Sequence, residues 1–261
     1  MTASVFIERM GTIAHLVLNR PEKRNALNMD MWRRLDACLD DLSADRETRV
    51  VILRGVDQTA FAAGADISEF ERIYATRAST EDYRGVLRSA QRKLAALNKP
   101  VIARIQGPCV GAGCGLALCC DVRIAAPSAG LGITPAKLGV VYGLWETKRL
   151  VDIVGPSQAK HMLFSAQILD AREALRIGLI DQLCDDEAIA AATDQYAELL
   201  ASNSLYTIQA AKRFVELIRD GQSDDTAEIR DLSVGGFFGE DFIEGRTAFM
   251  EKRKPKFPYK G

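Results

Sequence analysis

The chain has 261 residues, a net charge of −1 and 34 basic side chains spread along its length, so it lacks the basic excess or stripe of a nucleic-acid binder. Its 48% apolar residues are ample for a core, and no apolar run approaches the roughly 18 residues of a membrane span. The six cysteines form no CxxC pair, and His15 and His161 stand far apart; zinc ligation has no spacing to rest on, and the thiols read as small buried apolar groups.

The opening residues, MTASVFIERM, include Glu8 and Arg9. They lack the basic start, apolar centre and cleavage site of a secretory leader, so a cytoplasmic protein is expected. Residues 5–9 and 13–18 read as strands of a hairpin around Gly11. From Met29 the period changes, and Trp32, Leu35, Leu39 and Leu42 mark one helical face. VVIL (50–53) is a short buried strand, followed by a small-residue loop and a long helix carrying Tyr83, Val86, Leu87, Ala90, Leu94 and Leu97. VIARI (101–105) and VRIA (122–125) continue the alternation, and a further helix is expected from about Gly143. The pattern is that of an α/β core with largely buried strands. After about residue 185 it turns helical to the end, giving a core over 1–185 and a helical region over 186–261.

Between the strands lies GPCVGAGCGLALCCD (107–121), crowded with glycines that each cost entropy to order. A dinucleotide reading fails, because GAGCGL puts Leu116 where GxGxxG needs its third glycine; the phosphate-loop pattern lacks its GK[ST]. If a helix starts near Ala112, its first N–H groups lack intrahelical partners and can receive an oxygen that gains negative charge. AFAAGADI (60–67) likewise follows a buried strand and precedes a helix. Two such loops can supply one N–H each to a single oxygen. The plain alternative is a pair of tight turns packed under the sheet.

Five segments in order, NRPEKRNALN (19–28), AFAAGADISEF (60–70), KPVIARIQGPCVGAGCGLALCCDVRIA (99–125), ITPAKLG (133–139) and AFMEKRKPKF (248–257), resemble the crotonase, or enoyl-CoA hydratase/isomerase, superfamily over nearly the whole chain. The resemblance implies an α/β spiral of ββα units with a C-terminal helical region that completes a homotrimer, often paired into a hexamer. It implies an acyl-CoA thioester as substrate, with no cofactor beyond the coenzyme A that the substrate carries. Matched by position, Ala65 and Ala112 would hold the thioester oxygen. Arg24, Ala26, Ala63, Asp66 and Ile67 would lie along coenzyme A, and Phe249 and Lys252 would reach it from a neighbouring subunit.

The sequence departs from the hydratase pattern at both of that pattern's glutamates: Gly115 and Pro135 occupy the matching positions. Adding water to a conjugated double bond needs a base and an acid, so a hydratase here requires a substitute. Residues 133–150 are similar to the matching segment of methylmalonyl-CoA decarboxylases, which implies that Thr134 and Tyr142 line the acyl pocket. That resemblance favours a lyase removing carboxylate from a malonyl-type thioester. Glu146 is the candidate for a displaced acid/base that would restore hydratase or isomerase chemistry; otherwise it is a helix charge, solvated or paired with Lys148 or Arg149. A third reading is an acyl-CoA-binding protein without turnover. His161 reads as structural, Trp145 as core or pocket wall, and Asp121 as a partner for donors at a helix end. Neither nucleic acid nor a membrane is expected as a partner.

Overall fold

The computed structural model describes residues 3–261. β1 (Val5–Met10) and β2 (Ile13–Leu18) form the expected hairpin, turning at Gly11. β2 then pairs in parallel with β3 (Val50–Gly55), β3 with β4 (Val101–Ile105), β4 with β6 (Val122–Ala125) and β6 with β9 (Gln182–Leu183). Parallel neighbours need crossovers. α1 (Met29–Ala44) links β2 to β3, and α3 (Arg77–Ala96) links β3 to β4 after the single turn α2 (Phe70–Ile73). Asn28 starts α1 by accepting a hydrogen bond from the Met31 N–H, as an N-cap should.

Side chains alternate across the sheet. Val51, Leu53, Val101 and Ala103 meet Trp32, Leu35 and Leu39 of α1 on one face. Val50, Ile52, Ile102 and Ile124 face the other way, against Ile189 and Ala197 of α7 (Ile189–Ser202). Helix α7 lies beyond residue 185 in sequence yet closes the second face of the sheet.

A second sheet, absent from the sequence reading, joins β5 (Pro108–Val110), β7 (Gly130–Gly132) and β8 (Leu169–Asp170). Behind β5 starts α4 (Ala112–Ala117), the buried helix of the glycine-rich stretch. α5 (Leu144–Ser165) breaks at Gly155, ahead of Pro156, and α6 (Ala171–Arg176) leads to β9. α8 (Leu205–Arg219), α9 (Ala227–Gly235) and α10 (Glu240–Met250) complete the helical region. Helix does not continue to the end. Pro255 and Pro258 cannot donate to one, and residues 253–261 are instead tied down by the Tyr259 N–H on Asp241 (3.0 Å) and by Arg49 on the Tyr259 carbonyl (2.9 Å). Among the described residues no helix is long and apolar enough to cross a membrane.

The first turn of α4 fits only because residue 113 has no side chain. A Cβ there would overlap the carbonyl oxygen of Ala62 and sit 2.7 Å from its Cβ. Gly113→Ala is therefore expected to cost about 1–3 kcal/mol through overpacking, read as a melting temperature lowered by several degrees.

Candidate active site

The two small-residue loops leave the sheet at the C-terminal ends of neighbouring strands, β3 and β4, where parallel α/β sheets commonly bind ligands. They meet as a short piece of parallel ladder. The Ala62 N–H donates to the Pro108 carbonyl (2.9 Å), and the Val110 N–H donates to the Ala62 carbonyl (3.0 Å). Asn25, fully buried, fastens the first loop: its Nδ2 donates to the carbonyls of Ala60 (2.8 Å) and Phe61 (3.2 Å), while its Oδ1 accepts from the Arg20 N–H at 2.8 Å.

Among the peptide N–H groups this arrangement leaves over are those of Ala65 and Ala112. Leu27 donates to the Gly64 carbonyl (2.7 Å) and accepts from the Asp66 N–H (3.0 Å). These bonds occupy groups on both sides of Ala65, and among the described residues its own N–H has no acceptor. Ala112 is the first residue of α4, so its N–H has no acceptor within the helix. The preceding Gly111 gives its N–H to the Gly132 carbonyl (2.8 Å). Ala65 and Ala112 line the same cavity, of about 400 Å³. The meeting of the loops, conjectural in the sequence, is a feature of the fold.

Thr134, Tyr142 and Glu146 also line this cavity, as does Pro135. Tyr142 precedes α5, and Glu146 lies in that helix's first turn. Glu146 is 7% exposed, and among the described residues neither carboxylate oxygen has a hydrogen-bond or ion-pair partner; its Oε2 is fully buried. The expected pairing with Lys148 or Arg149 does not occur, because acidic and carbonyl groups elsewhere claim both cations. Lys148 goes to Asp152 (2.8 Å) and the Arg219 carbonyl (2.8 Å); Arg149 goes to the Leu118 carbonyl (3.0 Å) and toward Glu216 (3.6 Å). Arg84 also lines the cavity near Gly143, yet makes no ion pair with Glu146.

The space that a side chain at position 115 would enter is taken. A Cβ on Gly115 would lie 2.9 Å from Gln91 Nε2 and 3.1 Å from the Tyr142 hydroxyl. Burial pushes the Tyr142 phenol well above its ordinary value, with the neighbouring Cys114 and Glu146 adding to the shift. It is a neutral donor at any physiological pH. Burial also pushes the Cys119 thiol up to about 12, which removes it as a nucleophile.

The residues matched to coenzyme A divide. Ala63 and Ile67 line the cavity. Arg24 and Ala26 adjoin the first loop through their carbonyls, which accept from the Ala63 N–H (3.0 Å) and Arg20 Nη1 (3.0 Å). The Asp66 carboxylate is engaged locally, accepting from the Ser68 N–H (3.0 Å) and hydroxyl (2.6 Å) and pairing with Arg20 (2.5 Å). Phe249 and Lys252 do not line the cavity within one chain; Phe249 is 82% exposed.

Trp145 belongs to a different depression and lies against the guanidinium groups of Arg149 (5.2 Å) and Arg92 (5.9 Å). His161 is exposed on α5, outside the cavity. Asp121 accepts from the Val101 N–H (2.7 Å) and pairs with Lys212 (2.8 Å). The sequence reading missed Gln91, which is 2% exposed. Its signal was its position, a polar residue inside the apolar stripe of α3.

A sequence model described as Enoyl-CoA hydratase/isomerase matches residues 8–260. The chain is 35% identical over 254 residues to the short-chain-enoyl-CoA hydratase of Clostridium acetobutylicum, covering 96% of each chain. Its structure is similar to one described as an enoyl-CoA hydratase/isomerase family protein from Hyphomonas neptunium, with TM-score 0.96, 40% identity and 99% of each chain covered. A structure described as an enoyl-CoA hydratase/carnithine racemase from Magnetospirillum magneticum is similar at TM-score 0.96 and 36% identity, covering 99% of this chain and 97% of that one.

The buried phenols set an alkaline limit. Burial raises Tyr83 to about 12 and pushes Tyr142 well above its ordinary value, against about 10 in an unfolded chain. A folded value above the unfolded one means stability holds below pH ~10 and is lost as pH rises toward ~12. Denaturant melts across this range should show that fall, and Tyr142→Phe should make it shallower.

Proposed function

The chain belongs to the enoyl-CoA hydratase/isomerase family, and we propose that its cavity takes the acyl end of a coenzyme A thioester and transfers protons on it through an enolate. Its fold is the crotonase-like α/β arrangement of the matching structures. The N–H groups of Ala65 and Ala112 receive the thioester oxygen as it becomes negative. Glu146 is the base. Tyr142 and Thr134 orient the acyl group.

One observation carries this reading: a carboxylate buried without partners on the wall that also bears the two unpartnered N–H groups. A fold pays for such a carboxylate in desolvation, and a protein that only binds acyl-CoA has no use for it. Glu146 stands in for the glutamates that Gly115 and Pro135 lack. Relatives named as hydratases support the same chemistry.

The segment resembling the decarboxylases favours a second reading, loss of CO2 from a malonyl-type thioester, since Thr134 and Tyr142 both line the cavity. Glu146 weighs against it, because two carboxylates in one desolvated site repel. The exposed apolar side chains of the C-terminal region, among them Phe237, Phe238 and Phe249, support a trimer or hexamer. In such an assembly Phe249 and Lys252 would reach a neighbour's thioester. We place the protein in the cytoplasm.

Incubation with mixed crotonyl-, longer enoyl-, malonyl- and methylmalonyl-CoA, followed by mass spectrometry, should show proton transfer or hydration of an enoyl thioester. Glu146→Gln should lower that rate by roughly 10²–10⁴-fold. Loss of CO2 that depends on Tyr142 more than on Glu146 would instead select the decarboxylase. Ala112→Pro deletes one N–H at a helix position that tolerates proline; it should slow turnover by about 10²–10³-fold while leaving the melting temperature near that of the wild type.

A further inference from the structure

Besides its tyrosines, the cavity wall carries three ionisable side chains, Glu146, Arg84 and Arg88, so two guanidinium groups stand against one carboxylate. Both arginines are exposed at the rim, and among the described residues neither has a hydrogen-bond or ion-pair partner. The other basic residues of α3 are engaged. Arg77 pairs with Glu81 (2.7 Å), Lys93 with Asp36 and Asp40 (2.7 Å each), and Arg92 lies against Trp145 (5.9 Å). The two left free are the two that face the cavity.

Their placement defines what fits. Arg84 and Arg88 are one helical turn apart on α3, and residues at that spacing stand about 5–6 Å apart at Cβ, so both can close on one anion. The guanidinium fork matches a carboxylate, which it binds through two parallel hydrogen bonds. The wall beside them is apolar, with Phe70, Leu87, Leu138, Val140 and Val141. A carbon chain that ends in a carboxylate meets both surfaces at once. Glu146 does not serve as that carboxylate: a Cβ on Gly143 would touch both it and Arg84 Nη2 (3.2 Å), yet the two form no ion pair. Nor do the phosphates of coenzyme A suit, because the pantetheine arm holds them far from the thioester. Arg84, beside the proposed base, is within reach of the acyl chain.

We propose that Arg84 and Arg88 select the substrate by binding a carboxylate at the far end of its acyl chain, so that the enzyme acts on dicarboxylic acids joined to coenzyme A through one carboxyl group. The inference rests on the acyl-thioester reading above and names the substrate class within it. A malonyl carboxylate hangs on the α-carbon, where it meets Glu146. A carboxylate at the chain's end lies beyond the reacting carbons and meets guanidinium groups instead. An acyl chain ending in methyl satisfies the apolar wall and leaves both arginines to water.

Calorimetric titration with saturated thioesters matched in carbon number tests this directly: glutaryl- against pentanoyl-CoA, adipyl- against hexanoyl-CoA and suberyl- against octanoyl-CoA, with free coenzyme A alongside. In at least one pair the carboxylate member should bind about 10-fold tighter or more, the scale of hydrogen bonds to charged groups, and added salt should shrink the difference. Arg84→Gln combined with Arg88→Gln should bring the carboxylate member down to its methyl counterpart. Both side chains are exposed, so the variant should melt like the wild type; if it does not fold, Arg88→Gln alone should narrow the gap. No preference in any pair, or a preference that survives the substitutions, overturns the proposal. So does an equal loss of both members and of free coenzyme A, which would assign the arginines to the phosphates. In each of these cases binding of the methyl thioesters leaves the acyl-thioester reading standing; wild-type protein that binds none of the six thioesters overturns both.

Discussion

The site depends on two hydrogen bonds between main-chain groups: Ala62 to Pro108, and Val110 to Ala62. They join loops that are some fifty residues apart in sequence, and they set the spacing between the N–H groups of Ala65 and Ala112. Everything nearby serves that junction. Asn25 takes up the carbonyls of Ala60 and Phe61, and Gly113 makes room for Ala62. A junction made of backbone is well suited to holding an oxygen that changes charge, because its dipoles are fixed before the substrate arrives and need not reorganise during the reaction.

Around the junction the cavity wall is divided by charge. Its donors are two peptide groups, a phenol that burial keeps protonated, and the guanidinium groups of Arg84 and Arg88. A single unpaired carboxylate, Glu146, is buried among them. The four neighbouring thiols at 109, 114, 119 and 120 are buried.

Much of the fold was legible in the sequence because its signals are local. The hairpin, the runs VVIL and VIARI, and the stripe on α1 are each set by periodicity, and each sits where periodicity put it. The second sheet was not legible, since strands of two or three residues are too short to show a pattern. The two small-residue loops could be found individually; their meeting needed the sheet that places β3 beside β4. Glu146 was visible as a residue but ambiguous in role, because its isolation depends on α8 and Asp152 drawing away Lys148 and Arg149. Gln91 was overlooked because a glutamine on an amphipathic helix normally faces water, although its place in the apolar stripe of α3 marked it for burial.

That the proposed oxygen-binding groups are peptide N–H groups has a consequence for how this protein can change over generations. Codon changes replace side chains, and short of proline none can delete a backbone donor. The proposed activation of a thioester is therefore sheltered from most single substitutions, while the side chains proposed to move protons are open to drift. A lineage built on this scaffold can lose a glutamate at one position and recruit a carboxylate at another without abandoning its class of substrate. Gly115 and Glu146 are what such a history would leave behind.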